Sequence, residues 1–185
     1  MPWTRLERAA VLAAGLVLGV VLIAVLSGYF AGHDPSGVTG AASVGQSFPD
    51  QGDGVLAPGQ PHPRYDSTPP TSGPHVPVLL ARAPQRLGVD QLLTVLAAGD
   101  VVVEYGGMRP PLGLQRLVAR LVGPLTPALA ADGDAVLIAR RPGTEGLLAL
   151  AWTRMAQVSG PDDPLLQQFI ETWLGRGARR GGAPM

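Results

Sequence analysis

The order of apolar and polar positions divides the chain into three parts. Residues 9–30 form an unbroken run of 22 residues without a charged side chain. Residues 31–74 contain 8 Gly, 8 Pro and 5 Ser, and they show neither a helical nor a strand period. From Val76 onward, apolar residues recur at the spacings of helices and strands, which predicts one globular domain.

Three ranges of the globular part show the apolar spacing of amphipathic helices, at residues 88–99, 110–124 and 161–177. We expect Gly99 to end the first helix and a proline to open the second. For the third helix, Asp162 or Asp163 is the expected cap, because a carboxylate there accepts hydrogen bonds from free backbone N–H groups.

Four further ranges are predicted strands, at residues 76–82, 100–105, 134–140 and 146–154. Three consecutive valines in the second range indicate a buried strand. The segment R-P-G-T-E-G between the last two ranges is typical of a hairpin connection. Helices and strands together predict a mixed α+β domain of about 100 residues, which is enough for one modest core.

The apolar run Ala9–Phe30 predicts a transmembrane helix, since 22 residues at about 1.5 Å each span about 33 Å. Arg5 and Arg8 precede the run, and the next basic residue is Arg64. The positive-inside rule therefore places residues 1–8 in the cytoplasm and the domain outside. A cleaved signal peptide is the alternative, but the run is long for one and S-G-Y-F-A-G-H-D is a poor cleavage site.

The predicted organisation is a cytoplasmic stub at 1–8, a transmembrane helix at 9–30, a flexible linker at 31–50, an extracytoplasmic α+β domain at 51–176 and a frayed tail at 177–185. We name residues 51–75 the strap. Its prolines fix φ and bias each preceding residue toward extended conformations, so we expect it to lie along the domain surface. The predicted location is the plasma membrane.

Composition excludes several classes of protein. Charged residues make up 15% of the chain, below the roughly 25% typical of soluble domains. The 14 basic residues are all arginine and balance 14 acidic residues, so nucleic acid is not an expected partner. The absence of cysteine excludes disulfides, thiolate metal sites and cysteine nucleophiles.

The expected partner of residues 9–30 is the lipid bilayer. Gly15 and Gly19 form a G-x-x-x-G spacing, which lets two helices approach closely in a homodimer or with another membrane protein. Glycine and alanine are common in such helices in any case, so the spacing alone does not establish a dimer.

The histidines are His33, His62 and His75. His62 and His75 are candidate metal ligands, but zinc or copper needs three or four ligands, and side chains that stabilise turns are the alternative. Ser72 with His75 suggests a nucleophile and its base. T-S-G-P-H lacks the strand–turn–helix context of a nucleophile elbow, however, and no acid is placed to orient the imidazole. We therefore expect neither an enzyme nor a cofactor.

The sequence P-G-Q-P-H-P-R-Y-D-S-T-P-P-T-S-G-P-H at residues 58–75 resembles the signature of the bacterial domain-of-unknown-function family 3105. Members of that family look like single-span proteins with an extracytoplasmic domain. Residues 95–105, 148–154 and 162–173 are similar to later elements of the family pattern. The resemblance covers about residues 51–174.

Four positions depart from the family pattern, which has His, His, Glu and His where this chain has Val55, Thr94, Ala97 and Ala98. The last three belong to an H-x-L-E-H-G motif that this divergent member lacks. The resemblance implies that the recurrent His and Glu residues are a metal ligand set, of which only His62 and His75 remain here. We expect Ala97 and Ala98 to have become part of the ordinary core.

The function that follows is a noncatalytic binding or assembly module at the cell envelope. The alternative is a copper- or zinc-binding accessory or delivery protein that uses His62 and His75. We interpret the family motif as a structural scaffold, formed by Tyr65, Pro69, Pro70, Thr71, Ser72, Gly73 and His75.

Overall fold

A computed structural model describes residues 44–80 and 85–178. In chain order the elements are β1 (Gln46–Ser47), α1 (Val89–Ala98), β2 (Val101–Tyr105), α2 (Leu114–Leu121), α3 (Pro127–Asp132), β3 (Val136–Arg140), β4 (Leu147–Ala151), β5 (Arg154–Val158) and α4 (Pro164–Trp173). The mixed α+β class predicted from the sequence is confirmed for this part of the chain.

The five strands form one sheet in the order β1-β5-β4-β2-β3. The β2–β3 pair is parallel, with Val101 opposite Val136, and the other three pairs are antiparallel. Every residue of β2 is buried, as the run of valines predicts for a strand with neighbours on both edges and helices on both faces.

The predicted hairpin between β3 and β4 is wrong. β2 lies between these strands, pairing with β3 on one edge and with β4 on the other. The hairpin instead joins β4 to β5, a strand that the sequence did not predict, through Trp152 and Thr153. Thr153 has φ 59°, the left-handed conformation that suits a two-residue turn.

Helices cover both faces of the sheet. α2 and α4 pack on one face, where the core includes Val103, Leu117 and Phe169. α1 packs on the other face, where the core includes Leu96 and Val102, and α3 lies beside it. Successive residues of β2 point to opposite faces of the sheet, so the neighbouring residues Val102 and Val103 belong to different core clusters.

Two helix ends follow the sequence prediction and one does not. Gly99 ends α1, and Asp163 caps α4 by accepting a hydrogen bond from the Leu165 backbone N–H at 3.1 Å. α2 begins only at Leu114, after the left-handed Gly113, so the prolines at 110 and 111 precede the helix instead of opening it. α3 was not predicted, although its T-P start is a capping signal.

The predicted strand at residues 76–82 is wrong over its described part, 76–80, which forms no strand. The segment instead runs beside α1. The backbone N–H of Val76 donates to Asp90 Oδ1 at 2.8 Å, and that of Val78 donates to Thr94 Oγ1 at 3.1 Å. Backbone donors that bind helix side chains are not available for a sheet.

The described domain begins before residue 51. β1 lies in the range predicted as linker, and the Val44 carbonyl accepts a hydrogen bond from Trp173 Nε1 at 2.7 Å. The predicted transmembrane helix at 9–30 lies outside the described residues, as does the tail from residue 179. Between residues 44 and 178, as far as they are described, no helix has the length and apolar character needed to cross a bilayer.

Candidate functional site

Ser72 holds the strap to the residues at its own start, and the Thr71 backbone joins it to the sheet. Ser72 Oγ accepts a hydrogen bond from the Gln51 backbone N–H and donates one to the Pro49 carbonyl, each at 3.1 Å. The Thr71 carbonyl accepts from the Thr153 backbone N–H in the β4–β5 turn at 3.0 Å. Because Thr71 and Ser72 are buried, these bonds need protein partners, and the Thr71 bond is the one that joins the strap to the β4–β5 turn.

A contact between Tyr65 and the Gly73–Pro74 segment brings two parts of the strap together. The Tyr65 hydroxyl donates to the Pro74 carbonyl at 2.7 Å. A Cβ atom on Gly73 would lie 2.7 Å from the Tyr65 ring, and Gly73 has φ 125°, so only glycine fits here. Pro69 and Pro70 are buried next to this point, and the Thr68–Pro69 bond is cis. Burial and the nearby charge of Asp90 raise the pKa of Tyr65.

His75 lies at the end of the strap and is 1% exposed. Its backbone pairs with the chain near Val55, donating to the Gly54 carbonyl and accepting from the Leu56 N–H, both at 2.9 Å. Nδ1 lies 3.0 Å from the Gly73 carbonyl oxygen, which only accepts, so Nδ1 carries the proton. Nε2 is then an acceptor, and it has no hydrogen-bond partner among the described residues.

His62 bonds to a residue of α1 and makes no hydrogen bond to His75 within the described chain. Its Nε2 lies 2.8 Å from Asp90 Oδ1, the same carboxylate oxygen that accepts from the Val76 N–H. Burial raises the pKa of Asp90, but the hydrogen bonds from His62 and the Val76 N–H, with smaller electrostatic contributions from His62 and His75, outweigh it and lower the pKa overall. Asp90, as a carboxylate, therefore holds both His62 and the Val76 backbone to α1.

The histidines do not assemble a metal site with other side chains of the described chain. No group of three or more His, Cys, Asp or Glu residues with suitable geometry occurs among residues 44–80 and 85–178. His62 Nε2 is bonded to Asp90, and His75 Nε2 is buried.

Three of the four positions that depart from the family pattern lie on α1, and their surroundings differ. Ala97 is fully buried in the core, as expected. Ala98 was expected in the core as well, but it is only partly buried and lines a cavity of about 310 Å³ together with Thr94. Thr94 Oγ1 accepts from Val78 and donates to the Asp90 carbonyl at 2.7 Å, so the threonine holds the chain after the strap onto α1.

Among the described residues, Ser72 and His75 are hydrogen-bonded to other groups and not to each other. The Ser72 hydroxyl donates its hydrogen bond to the Pro49 carbonyl, and His75 Nδ1–H donates to the Gly73 carbonyl. Val55, the remaining departure, is 73% exposed. The side chains of the motif thus serve the shape of the strap.

A buried carboxyl on the sheet was missed by the sequence analysis. Glu104 of β2 is 2% exposed, and burial raises its pKa while Arg141 opposes the rise. Its Oε2 lies 3.7 Å from Arg141 Nε and makes no hydrogen bond within the described chain. Arg141 and the cis proline Pro69 both line an open cavity of about 410 Å³ on this face of the sheet.

The signal for Glu104 was present in the sequence, because a charged residue follows three valines predicted to be buried. Asp90 carried no such signal. It reads as an ordinary acidic residue in the first turn of a helix, and its partners lie 14 and 28 positions earlier in the chain.

No functionally curated protein and no solved structure matches the chain. A family model described as "Protein of unknown function (DUF3105)" matches residues 60–184, a range that includes most of the strap, the whole sheet except β1, and all four helices. With its strap signature and more than half of its length matched, the chain belongs to the DUF3105 family.

Proposed function

We propose that this protein is a single-pass, membrane-anchored module whose domain lies outside the cytoplasm and acts by binding or assembly, without catalysis. The observation that carries the proposal is the use of the motif's polar groups. Ser72, Tyr65 and the Nδ1 atom of His75 each bond to backbone of the strap or of the residues just before it. A motif that fixes shape in this way supports a recognition surface better than a reaction centre.

The anchor rests on the sequence of residues 9–30, which is long enough and apolar enough to span a bilayer. Membranes from cells that express the full chain test it by alkaline carbonate extraction. We expect the protein to remain in the membrane pellet, and a variant with Leu16→Arg and Val20→Arg to be released. Release of the unaltered chain would contradict anchoring.

Assembly is tested in the same membranes by photo-crosslinking from exposed positions of the domain. We expect one defined adduct, either with a second copy of the chain or with one other membrane protein. Gly15→Leu and Gly19→Leu should remove a homodimer adduct if the two helices meet at these glycines. Recovery of monomer alone from several exposed positions would contradict the assembly role.

Metal delivery is the second candidate function, and the state of His75 favours it. Histidines that bind metals commonly donate one ring N–H to a carbonyl, which turns the other nitrogen into a ligand. His75 has this arrangement, with Nδ1–H on the Gly73 carbonyl and Nε2 unpartnered within the described chain. His62, whose Nε2 is bonded to Asp90, would be the second ligand, and because His75 Nε2 is buried the strap would have to open locally to admit the ion.

Full-length protein purified in detergent tests this second function through its copper and zinc content and its thermal unfolding with either ion added. A delivery protein should gain at least several degrees in Tm, and His75→Gln should not. Metal-free protein with an unchanged Tm in both ions would exclude the role.

A further inference from the structure

A basic stretch without acidic residues follows β2. Residues 106–131 contain Arg109, Arg116 and Arg120 and no Asp or Glu, although the whole chain has a net charge of zero. All three arginine side chains are exposed. Positive charge is therefore concentrated on the β2–α2 loop and on α2.

Two large apolar side chains project from the same loop. Met108 is 77% exposed and Leu112 is 94% exposed. A single exposed apolar residue is normal on any protein surface. Here two of them flank Arg109 within five residues of chain, next to a helix that carries two more arginines.

The loop has a fixed shape, so the exposure of these side chains is a property of the fold. A Cβ atom on Gly106 would lie 2.1 Å from the Thr144 carbonyl oxygen, which shows how closely the loop passes the β3–β4 connection. Arg140 Nε donates to the Gly107 carbonyl at 2.7 Å, and its Nη2 lies 3.2 Å from Met108 Sδ. Two consecutive prolines then restrict the chain before α2.

α2 continues the surface while its own apolar face is occupied. Leu114, Leu117 and Val118 are buried against the sheet. Arg116 and Arg120 lie four residues apart, one turn of helix, on the opposite face. Among the described residues of this segment, Met108 and Leu112 are therefore the most exposed large apolar side chains, and Leu125, 36% exposed, follows α2.

We propose that Met108, Arg109, Leu112, Arg116 and Arg120, which we name the loop surface, dock the domain on anionic lipid headgroups. Guanidinium groups bind phosphate oxygens in bidentate geometry, and apolar side chains beside them enter the interfacial layer. The inference rests on the proposed membrane anchor. Phe30 and Val44 are 14 positions apart, so even a fully extended chain keeps the domain within about 50 Å of the anchor.

The absence of cysteine allows a clean test with the full chain in lipid nanodiscs. Leu112→Cys is labelled with an environment-sensitive fluorophore, and Val55→Cys, 73% exposed on the strap, is the matched control. In nanodiscs that contain phosphatidylglycerol, we expect blue-shifted emission and quenching by brominated acyl chains at position 112 only. Phosphatidylcholine alone should give neither effect, and salt near 1 M, where the Debye length is about 3 Å, should reverse both.

Charge variants test the arginines separately. Each of Arg116→Gln and Arg120→Gln should lower the ratio of docked to undocked domain roughly fivefold, as expected for a basic residue at an anionic surface. Arg64→Gln, which removes an exposed arginine of the strap, is the control and should leave the ratio unchanged.

The experiment distinguishes failure of the proposed anchor from failure of the proposed lipid docking. Protein that does not co-elute with nanodiscs contradicts the anchor. Protein that co-elutes but keeps a water-exposed label at position 112 contradicts lipid docking alone, as does an equal shift at position 55 or in neutral lipid. Protection of position 112 only in native membranes would assign the loop surface to a protein partner and overturn the lipid proposal.

Discussion

The side chains that define the strap bind backbone groups, and they do so from buried or partly buried positions. Ser72 bridges the Gln51 N–H and the Pro49 carbonyl, and Tyr65 bonds to the Pro74 carbonyl. Leaving a buried backbone N–H or C=O group without a partner costs about 1–3 kcal/mol. Removal of either side chain should therefore lower the free energy of unfolding by more than the loss of its own packing contacts. The backbone groups that Ser72 and Tyr65 bond to therefore explain why the motif has polar side chains at these positions.

Asp90 should be more important for stability than the histidine beside it. Asp90→Ala leaves the Val76 N–H without its acceptor, and we expect the free energy of unfolding to fall by about 1.5–3 kcal/mol, as for hydrogen bonds to charged groups. His62→Ala removes only a partly exposed pair and should cost at most about 1 kcal/mol. Urea unfolding monitored by circular dichroism measures both.

Asp53→Ala, at an exposed position of the strap, is the control for these variants. The Asp90 contribution also has a defined pH dependence. Because the folded pKa is lowered, the contribution is present at neutral pH and is lost as the pH falls through the folded pKa. An Asp90→Ala variant as stable as His62→Ala at pH 7 would contradict the role given to the carboxylate.

Glu104 should destabilise the domain as the pH rises. Its pKa is raised in the folded protein by burial, so folding favours the protonated form, and this contribution is lost as the pH rises through the folded pKa. We expect Glu104→Gln to raise Tm relative to the unaltered protein, and to do so more at pH 8 than at pH 5. Calorimetry at the two pH values measures the difference. A gain that is equal at both, or larger at pH 5, would show that Arg141 compensates the charge fully.

At the scale of elements, the strap behaves as a folded segment even though it contains no helix or strand beyond the single bridge of Val55 with His75. It reaches the β4–β5 turn through Thr71 and α1 through His62 and Asp90. Its shape depends on the close approach of the Tyr65 ring to Gly73.

Gly73→Ala should therefore destabilise the domain by about 2–4 kcal/mol, since the methyl group meets the Tyr65 ring at a positive φ. Gly59→Ala is the matched control, because Gly59 also has a positive φ, 83°, but nothing lies within 4 Å of the added atom. It should cost about 1–2 kcal/mol from backbone strain alone. Equal losses in the two variants would mean that the packing of Tyr65 on Gly73 contributes nothing.

Local signals predicted the helices better than the sheet. Asp163 and Gly99 mark helix ends through bonds made within one turn, so the sequence around them is sufficient. The order of strands is different, because β3 pairs with β2 across 35 residues instead of with its chain neighbour β4. The segment after the strap was mistaken for a strand because its N–H acceptors, Asp90 and Thr94, lie on a helix that follows later.

At the scale of the whole molecule, the described part is one α+β domain that includes residues before the strap, from Val44. Alanines at the family's Glu and last His positions predicted a closed core, and this is wrong for Ala98, which lines a cavity with Thr94. Residue type could not predict this, since the outcome depends on how α3 and the chain after the strap pack beside α1.

The proposed membrane anchor would hold this domain outside the cytoplasm. A chain without cysteine allows a direct measurement by labelling single-cysteine variants with a membrane-impermeant maleimide in spheroplasts. Val55→Cys, exposed on the strap, should be labelled as fully in intact spheroplasts as after lysis, whereas Thr4→Cys in the predicted cytoplasmic stub should be labelled only after lysis. Labelling of Val55→Cys that requires lysis would contradict the proposed location of the domain outside the cytoplasm.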